Sequence, residues 1–130
     1  MKKLLLIALA SVSFKAQAYE ISKISCMFTE PFFSVSYDAK SKTMILLSAE
    51  EPNKRVTKNV GMNQKNGKIY INHLGKDIME ITTNFNGSDG MSDRIYPMEA
   101  KMLSPNANQY ASNLIGGCET KYLKAQEGQY

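Results

Sequence analysis

Short runs of apolar residues at alternate positions, each closed by a turn signal, constrain this chain more than any other feature. Ile24, Cys26 and Phe28 alternate with Ser25 and Met27, and Phe33, Val35 and Tyr37 alternate with Ser34 and Ser36. A period of two puts one set of side chains in a core and the other in water, as in antiparallel strands buried on one face. Asp38-Ala39-Lys40-Ser41 reads as a turn into a third run, Thr43 to Ser48, which is apolar on both faces through Met44-Ile45-Leu46-Leu47 and so is expected to be central. Ala49 to Lys54 is a polar loop containing Pro52, and Val56, Val60 and Met62 mark one more polar strand. Asn66-Gly67 is a hairpin signal, because both residues tolerate positive φ.

Lys68 to Leu74 follows, with His73 in line with Ile69 and Ile71. Gly75-Lys76-Asp77 turns the chain into Ile78 to Phe85, where Met79, Ile81, Thr83 and Phe85 are expected on one face. Asn86 to Pro97 is rich in Gly, Ser and Asp and reads as the longest loop. Met98, Ala100 and Met102 alternate in another strand, and Ser104-Pro105-Asn106 opens a turn or short helix through Ala111. Leu114-Ile115 leads through Gly116-Gly117 to Cys118, and Glu119 to Tyr130 is expected to fray. About eight short strands at hairpin spacing predict an all-β fold, a small antiparallel barrel or barrel-like sheet. With no Trp in the chain, the methionines beyond Met1 are expected to fill gaps in the core.

The first residues carry a different pattern. Lys2 and Lys3 precede a nearly unbroken apolar or small stretch from Leu4 to Phe14, and Ala16-Gln17-Ala18 is a small-x-small site. This is read as a secretory signal peptide, residues 1–18, cleaved after Ala18. The apolar stretch is short of the roughly 20 residues a membrane span needs. No cysteine follows the cleavage site directly, so a lipoprotein anchor is not indicated. The expected layout is the signal, a β-barrel-like domain over 19–119 and a polar tail over 120–130, in a bacterial periplasmic or secreted protein. No transmembrane segment is expected after cleavage.

Export changes how the charges and cysteines are read. The signal holds Lys2, Lys3 and Lys15 and no acid, so a formal net charge of +4 falls to about +1. With two arginines, Arg55 and Arg94, and no basic cluster interleaved with aromatics, nucleic-acid binding loses its electrostatic footprint. Cys26 and Cys118 are the two cysteines of the chain, and an even count in an oxidising compartment points to a disulfide between them.

Catalytic chemistry finds little support. His73 is the single histidine and lies within a strand pattern, where a hydrogen-bonded strand residue is the simpler reading than a general base. There is no Gly-x-Ser-x-Gly elbow, and His73 has no companion at metal-ligand spacing. The Ser88-Asp89-Gly90-Met91-Ser92-Asp93 run departs from the EF-hand template, so its acids are read as turn residues bonding their own backbone. No cofactor, no metal and no enzymatic activity are expected.

Three strings resemble a family of small bacterial envelope proteins. They are Cys26-Met27-Phe28-Thr29-Glu30-Pro31-Phe32-Phe33, Asp89-Gly90-Met91-Ser92-Asp93-Arg94-Ile95-Tyr96-Pro97, and Gly116-Gly117-Cys118. They are similar to the Glu-Pro-Phe-Trp, Met-Ser-Asp-x-x-Tyr-Pro and Gly-Cys signatures of exported or lipid-anchored proteins, some joined to domains resembling the membrane-bound inhibitor of C-type lysozyme. Phe33 stands where that family usually has Trp, and Gly87 where some relatives carry a cysteine.

The resemblance implies a barrel-like domain with an envelope role and supplies no known activity. In this light Glu30 is expected to accept hydrogen bonds from the 89–94 loop or to pair with Arg94, and Pro97 to stop the strand ladder at that edge. The sharpest functional expectation is a non-catalytic binding protein that inhibits a lysozyme-like wall hydrolase. Its 86–97 loop, through Ser92, Asp93, Arg94 and neighbouring Glu30, would meet the two carboxylates of the enzyme cleft. The alternative is a periplasmic barrel binding a small ligand or lipid. Oligomeric state is left open by the residues.

Overall fold

The computed structural model describes residues 22–29, 32–49, 54–103 and 114–127. The signal reading at 1–18, Glu30, Pro31, Pro52 and the turn or helix reading at 104–111 lie outside them. The described chain is all β. It comprises β1 (Lys23–Phe28), β2 (Phe33–Asp38), β3 (Thr43–Ser48), β4 (Arg55–Lys58), β5 (Gly61–Lys65), β6 (Lys68–His73), β7 (Lys76–Gly87), β8 (Arg94–Met102), β9 (Ile115–Glu119) and β10 (Gln126–Glu127). All pairings are antiparallel, in the order β4-β3-β2-β1-β9-β8-β7-β6-β5, with β10 joining β8. Among the described residues no helix is long and apolar enough to cross a membrane.

The two edges of this sheet, β4 and β5, are consecutive in the chain and separated by Asn59 and Val60 alone. Laid flat, strands in that order would put the edges about 40 Å apart at the usual spacing of roughly 4.8 Å. Two linking residues span about 10 Å. The sheet therefore rolls up, and its inner face becomes one core made of alternate residues from β1, β2, β3, β6, β7, β8 and β9. Val60 plugs the seam: it is buried, its N–H donates to the Lys42 carbonyl at 2.9 Å, and its carbonyl accepts the Tyr37 hydroxyl at 2.9 Å. β4 and β5 are not paired, so the form is barrel-like and open on that side.

The alternations in β1 and β2 bury as their pattern requires, and Phe28 stacks on Phe33 with ring centroids 4.4 Å apart. Asn66 and Gly67 make the hairpin turn at φ 52 and 76. Cys26 and Cys118 form the expected disulfide, directly opposite each other in the β1–β9 ladder with Cα atoms 4.0 Å apart. The bridge joins residues 92 apart in sequence and encloses nearly the whole sheet.

Several expectations change. The polar strand read through Val56, Val60 and Met62 is two strands, because Asn59 turns at φ 60 and carries the chain from one edge to the other. The loop read from Asn86 to Pro97 shrinks to Ser88–Asp93, since Asn86 and Gly87 end β7 and Arg94 to Pro97 begin β8. Pro97 interrupts the ladders as expected, but within β8 and not at its end. It is buried inside β8 where the β7 register breaks and between the β9 and β10 ladders, a position that asks little of its missing N–H. Phe85 does not share the buried face of Met79 and Ile81. The register shift between Thr83 and Gly87 inserts extra residues on β7 and turns Phe85 outward at φ 53. The segment after Glu119 does not fray through Glu127. Thr120 is buried, its Oγ1 accepts the N–H groups of Tyr122 and Leu123 at 3.3 and 3.0 Å, and β10 then pairs with β8.

Candidate functional site

The end of the barrel between β7 and β8 is closed by the Ser88–Asp93 loop, and Asp89 organises it. Asp89 is 8 % exposed, an unusual burial for a carboxylate. Its Oδ1 accepts the N–H groups of Met91 and Ser92 at 2.9 and 2.8 Å. Its Oδ2 accepts the hydroxyls of Ser92 and Tyr96 at 2.5 and 3.1 Å. Four donors match the acceptor capacity of an ionised carboxylate. Burial acts to raise the pKa of Asp89, and these hydrogen bonds, which favour the charged form, outweigh it and hold the group at about 2. The Tyr96 hydroxyl moves the other way, raised first by burial and then by its bond to Asp89.

Two distant segments lock the loop in place. Thr29, just beyond β1, donates its hydroxyl to the Asp89 carbonyl at 2.6 Å. Tyr96 packs closely against β9 at Gly117, where a Cβ would collide with Cγ and Cδ2 of the ring. A glycine in a strand interior often marks such a close approach. The three strings that carry the family resemblance thus meet in space: Thr29 from the first, Asp89, Ser92 and Tyr96 from the second, and Gly117 from the third.

The candidate residues are placed as follows. The hydroxyl proton of Ser92 goes to Asp89 and its oxygen accepts the Arg94 N–H at 3.3 Å, so it shapes the loop. Asp93 is exposed on the loop and has contacts of its own. The Arg94 guanidinium lies 3.8 Å from Glu119 Oε2 and 5.6 Å from the centre of the Tyr96 ring. Its carboxylate neighbour among the described residues is thus Glu119, and the carboxylate that accepts the loop backbone is Asp89. Both were roles expected of Glu30, which is outside the described residues. Asp89 and Tyr96 are the residues sequence reasoning undervalued. The available signal was an acid and a tyrosine seven positions apart, flanking a turn.

Chemically the assembly is a clamp. Both oxygens of Asp89 are engaged, one of them by the Ser92 hydroxyl, and this ties the backbone from Asp89 to Ser92 to the Tyr96 ring. His73 is half-buried at the end of β6, on the hairpin that passes through Leu74 and Gly75 to β7. What the clamp leaves exposed is the loop tip, with Met91 at 71 % exposure. Beside it runs an apolar cleft of about 540 Å³ lined by Met27, Phe32, Phe33, Leu47 and Met91.

Fold and loop together define a small, disulfide-stapled antiparallel β protein of open barrel form with one end closed by a buried carboxylate. Comparison with family models, with curated proteins and with solved structures gives no match.

Proposed function

We propose that this chain is an exported envelope protein that works by contact and not by catalysis, with the Ser88–Asp93 loop and the adjoining cleft as its binding face. The observation that carries this is a loop whose backbone is held in one shape by Asp89 while its tip stays exposed from Gly90 to Asp93. A prearranged loop loses little conformational entropy on docking, the property that lets rigid inhibitor loops bind enzyme clefts. The partner favoured by the sequence resemblance is a lysozyme-like wall hydrolase, whose cleft offers two carboxylates. Arg94 supplies a guanidinium at the loop base and Met91 an apolar contact at its tip, with Ser92 holding the geometry between them.

The test is hydrolysis of cell walls by C-type and related lysozymes in the presence of micromolar protein. Dose-dependent inhibition is expected, weakened at least about tenfold by Arg94→Glu, as for a central arginine in an interface. Hydrolysis at an unchanged rate overturns the hydrolase as partner. A second reading, a small apolar ligand, draws support from the same cleft, whose volume is that of ordinary ligand sites. The barrel interior does not support it, being filled by Phe28, Ile71, Met79, Met98 and Met102. Saturable binding of a fluorescent fatty acid that Phe32→Ser abolishes would favour this reading over the first.

A further inference from the structure

A second exposed feature lies outside the loop and cleft just described. Phe85, Ile95 and Tyr122 are 63 %, 46 % and 62 % exposed and line one shallow cleft of about 200 Å³. They come from three separate elements: the β7 irregularity, the start of β8 and the turn before β10. Phe85 and Tyr122 are held there by built structure, and Ile95 by the β8–β10 ladder. Phe85 has φ 53, a left-handed conformation that bulky side chains rarely adopt. Asn84 supports it, accepting the Asn86 N–H at 3.0 Å and donating to Glu99 at 3.3 Å. The turn carrying Tyr122 is fixed by buried Thr120 and by Glu119, which accepts the Ala125 N–H at 2.7 Å. A strained backbone that presents a large apolar ring to water is an outlier of the kind that points to function.

Two lysines flank the Tyr122 side of the platform. Lys124 lines the same cleft, and the Lys121 ammonium lies 5.7 Å from the centre of the Tyr122 ring. Both lysines are exposed. Of the acids close by, Glu119 is engaged by Arg94 and by the Ala125 N–H, Glu99 accepts from Asn84, and Glu127 is exposed on β10, opposite Arg94 in the backbone register. No described carboxylate pairs with Lys121 or Lys124. The cleft is smaller than sites that enclose small ligands, which run to roughly 300 Å³ and more. The side chains stand out from it instead of lining a cavity. Aromatic and aliphatic groups that project beside lysines match the boundary between lipid headgroups and acyl chains: the rings enter the apolar layer and the ammonium groups reach the phosphates.

We infer that the Phe85–Ile95–Tyr122 platform with Lys121 and Lys124 seats the protein on the surface of an anionic phospholipid bilayer. This is separate from the loop reading and stands or falls without it. The experiment is co-sedimentation of the protein, recovered from an oxidising periplasm with its mass confirmed, with vesicles of phosphatidylglycerol and phosphatidylethanolamine and with vesicles of phosphatidylcholine. Binding is expected on the anionic vesicles and is expected to fall steeply in high salt. Lys121→Gln and Lys124→Gln should each weaken it about fivefold. Phe85→Asn should weaken it at least about tenfold while thermal stability holds or rises, because Asn accepts the left-handed conformation. That last pairing separates a binding role from a structural one. No partition onto anionic vesicles, equal partition onto phosphatidylcholine, or undiminished binding by Phe85→Asn would each overturn the inference.

Discussion

Two turns in this protein reverse the chain by different means. The Asn66–Gly67 turn between β5 and β6 is held by its own backbone, with φ of 52 and 76 and a ladder that closes directly at Lys65 and Lys68. The Ser88–Asp93 loop between β7 and β8 is held by Asp89, by Tyr96 packed on Gly117, and by Thr29 from sixty residues away. The first turn is a property of two residues. The second exists only when β1, β8 and β9 are already in place, so its stiffness reports on the whole sheet. A loop built that way can be rigid without a disulfide of its own and still expose its tip.

The largest way to break the comparison is to cut the staple. Replacing Cys26 and Cys118 by Ala should cost about 4–5 kcal/mol by the loop-entropy estimate, read from urea unfolding. It should loosen the Ser88–Asp93 loop more than the Asn66–Gly67 turn, because β1 and β9 frame the former and not the latter. Equal loss of amide protection in the two turns would contradict this. Next in size is Asp89→Ala, which orphans the donors of Ser92 and Tyr96 and two loop amides. About 3 kcal/mol should be lost, with faster hydrogen exchange at Met91 and Ser92 and little change at Asn66.

Acid should act on the Ser88–Asp93 loop through Asp89, while Glu80, held below the usual carboxylate range by its hydrogen bond with Lys68, adds its own part beside the Asn66–Gly67 turn. Asp89 has a folded pKa of about 2 against an ordinary 3.8. A depressed carboxylate pKa means its stabilisation is complete above pH ~4 and drains away as pH falls towards ~2, about 2 kcal/mol in total. Unfolding curves between pH 5 and 2 should show this slope in the native chain and lack that part of it in Asp89→Asn. A variant with the same slope would show that Asp89 is not its source. The smallest effect belongs to the local turn. Gly67→Ala places a side chain at positive φ and should cost about 1 kcal/mol, leaving the chemical shifts of Met91 and Ser92 where they were.

What could be read from the sequence follows the same division. β1, β2 and β6 and the Asn66–Gly67 hairpin show in local alternation and turn chemistry, because a strand with one wet face writes its period into nearby residues; β3, apolar on both faces in sequence, lies next to the β4 edge and not at the centre, with Leu47 50 % exposed. The disulfide also showed, through its even count. The split at Asn59–Val60 did not, since a barrel seam needs no alternation. Nor did the strand character of Ile95–Tyr96–Pro97, where a proline beside a glycine- and serine-rich run looks like loop until its neighbours' ladders are seen to break there. Phe85 followed the alternation of Met79 and Ile81 in sequence, and extra residues in β7 reversed its direction.

The candidate site divides likewise. Ser92 was recognisable as a loop residue and Arg94 as a nearby donor, though Arg94 begins β8; their partners, Asp89 for one and Glu119 for the other, were not legible. The sequence by itself determined that the chain is all β, with alternating strands and two cysteines suited to one bridge. These are consequences of hydrophobic periodicity and composition, which act over a few residues or over none. Only the tertiary structure decided that Asp89 is the buried centre of the closed end, that Gly117 exists to admit Tyr96, and that Phe85 faces water. Each depends on which strands lie side by side, and that order is set by the rolling of the whole sheet, which no short stretch of sequence encodes.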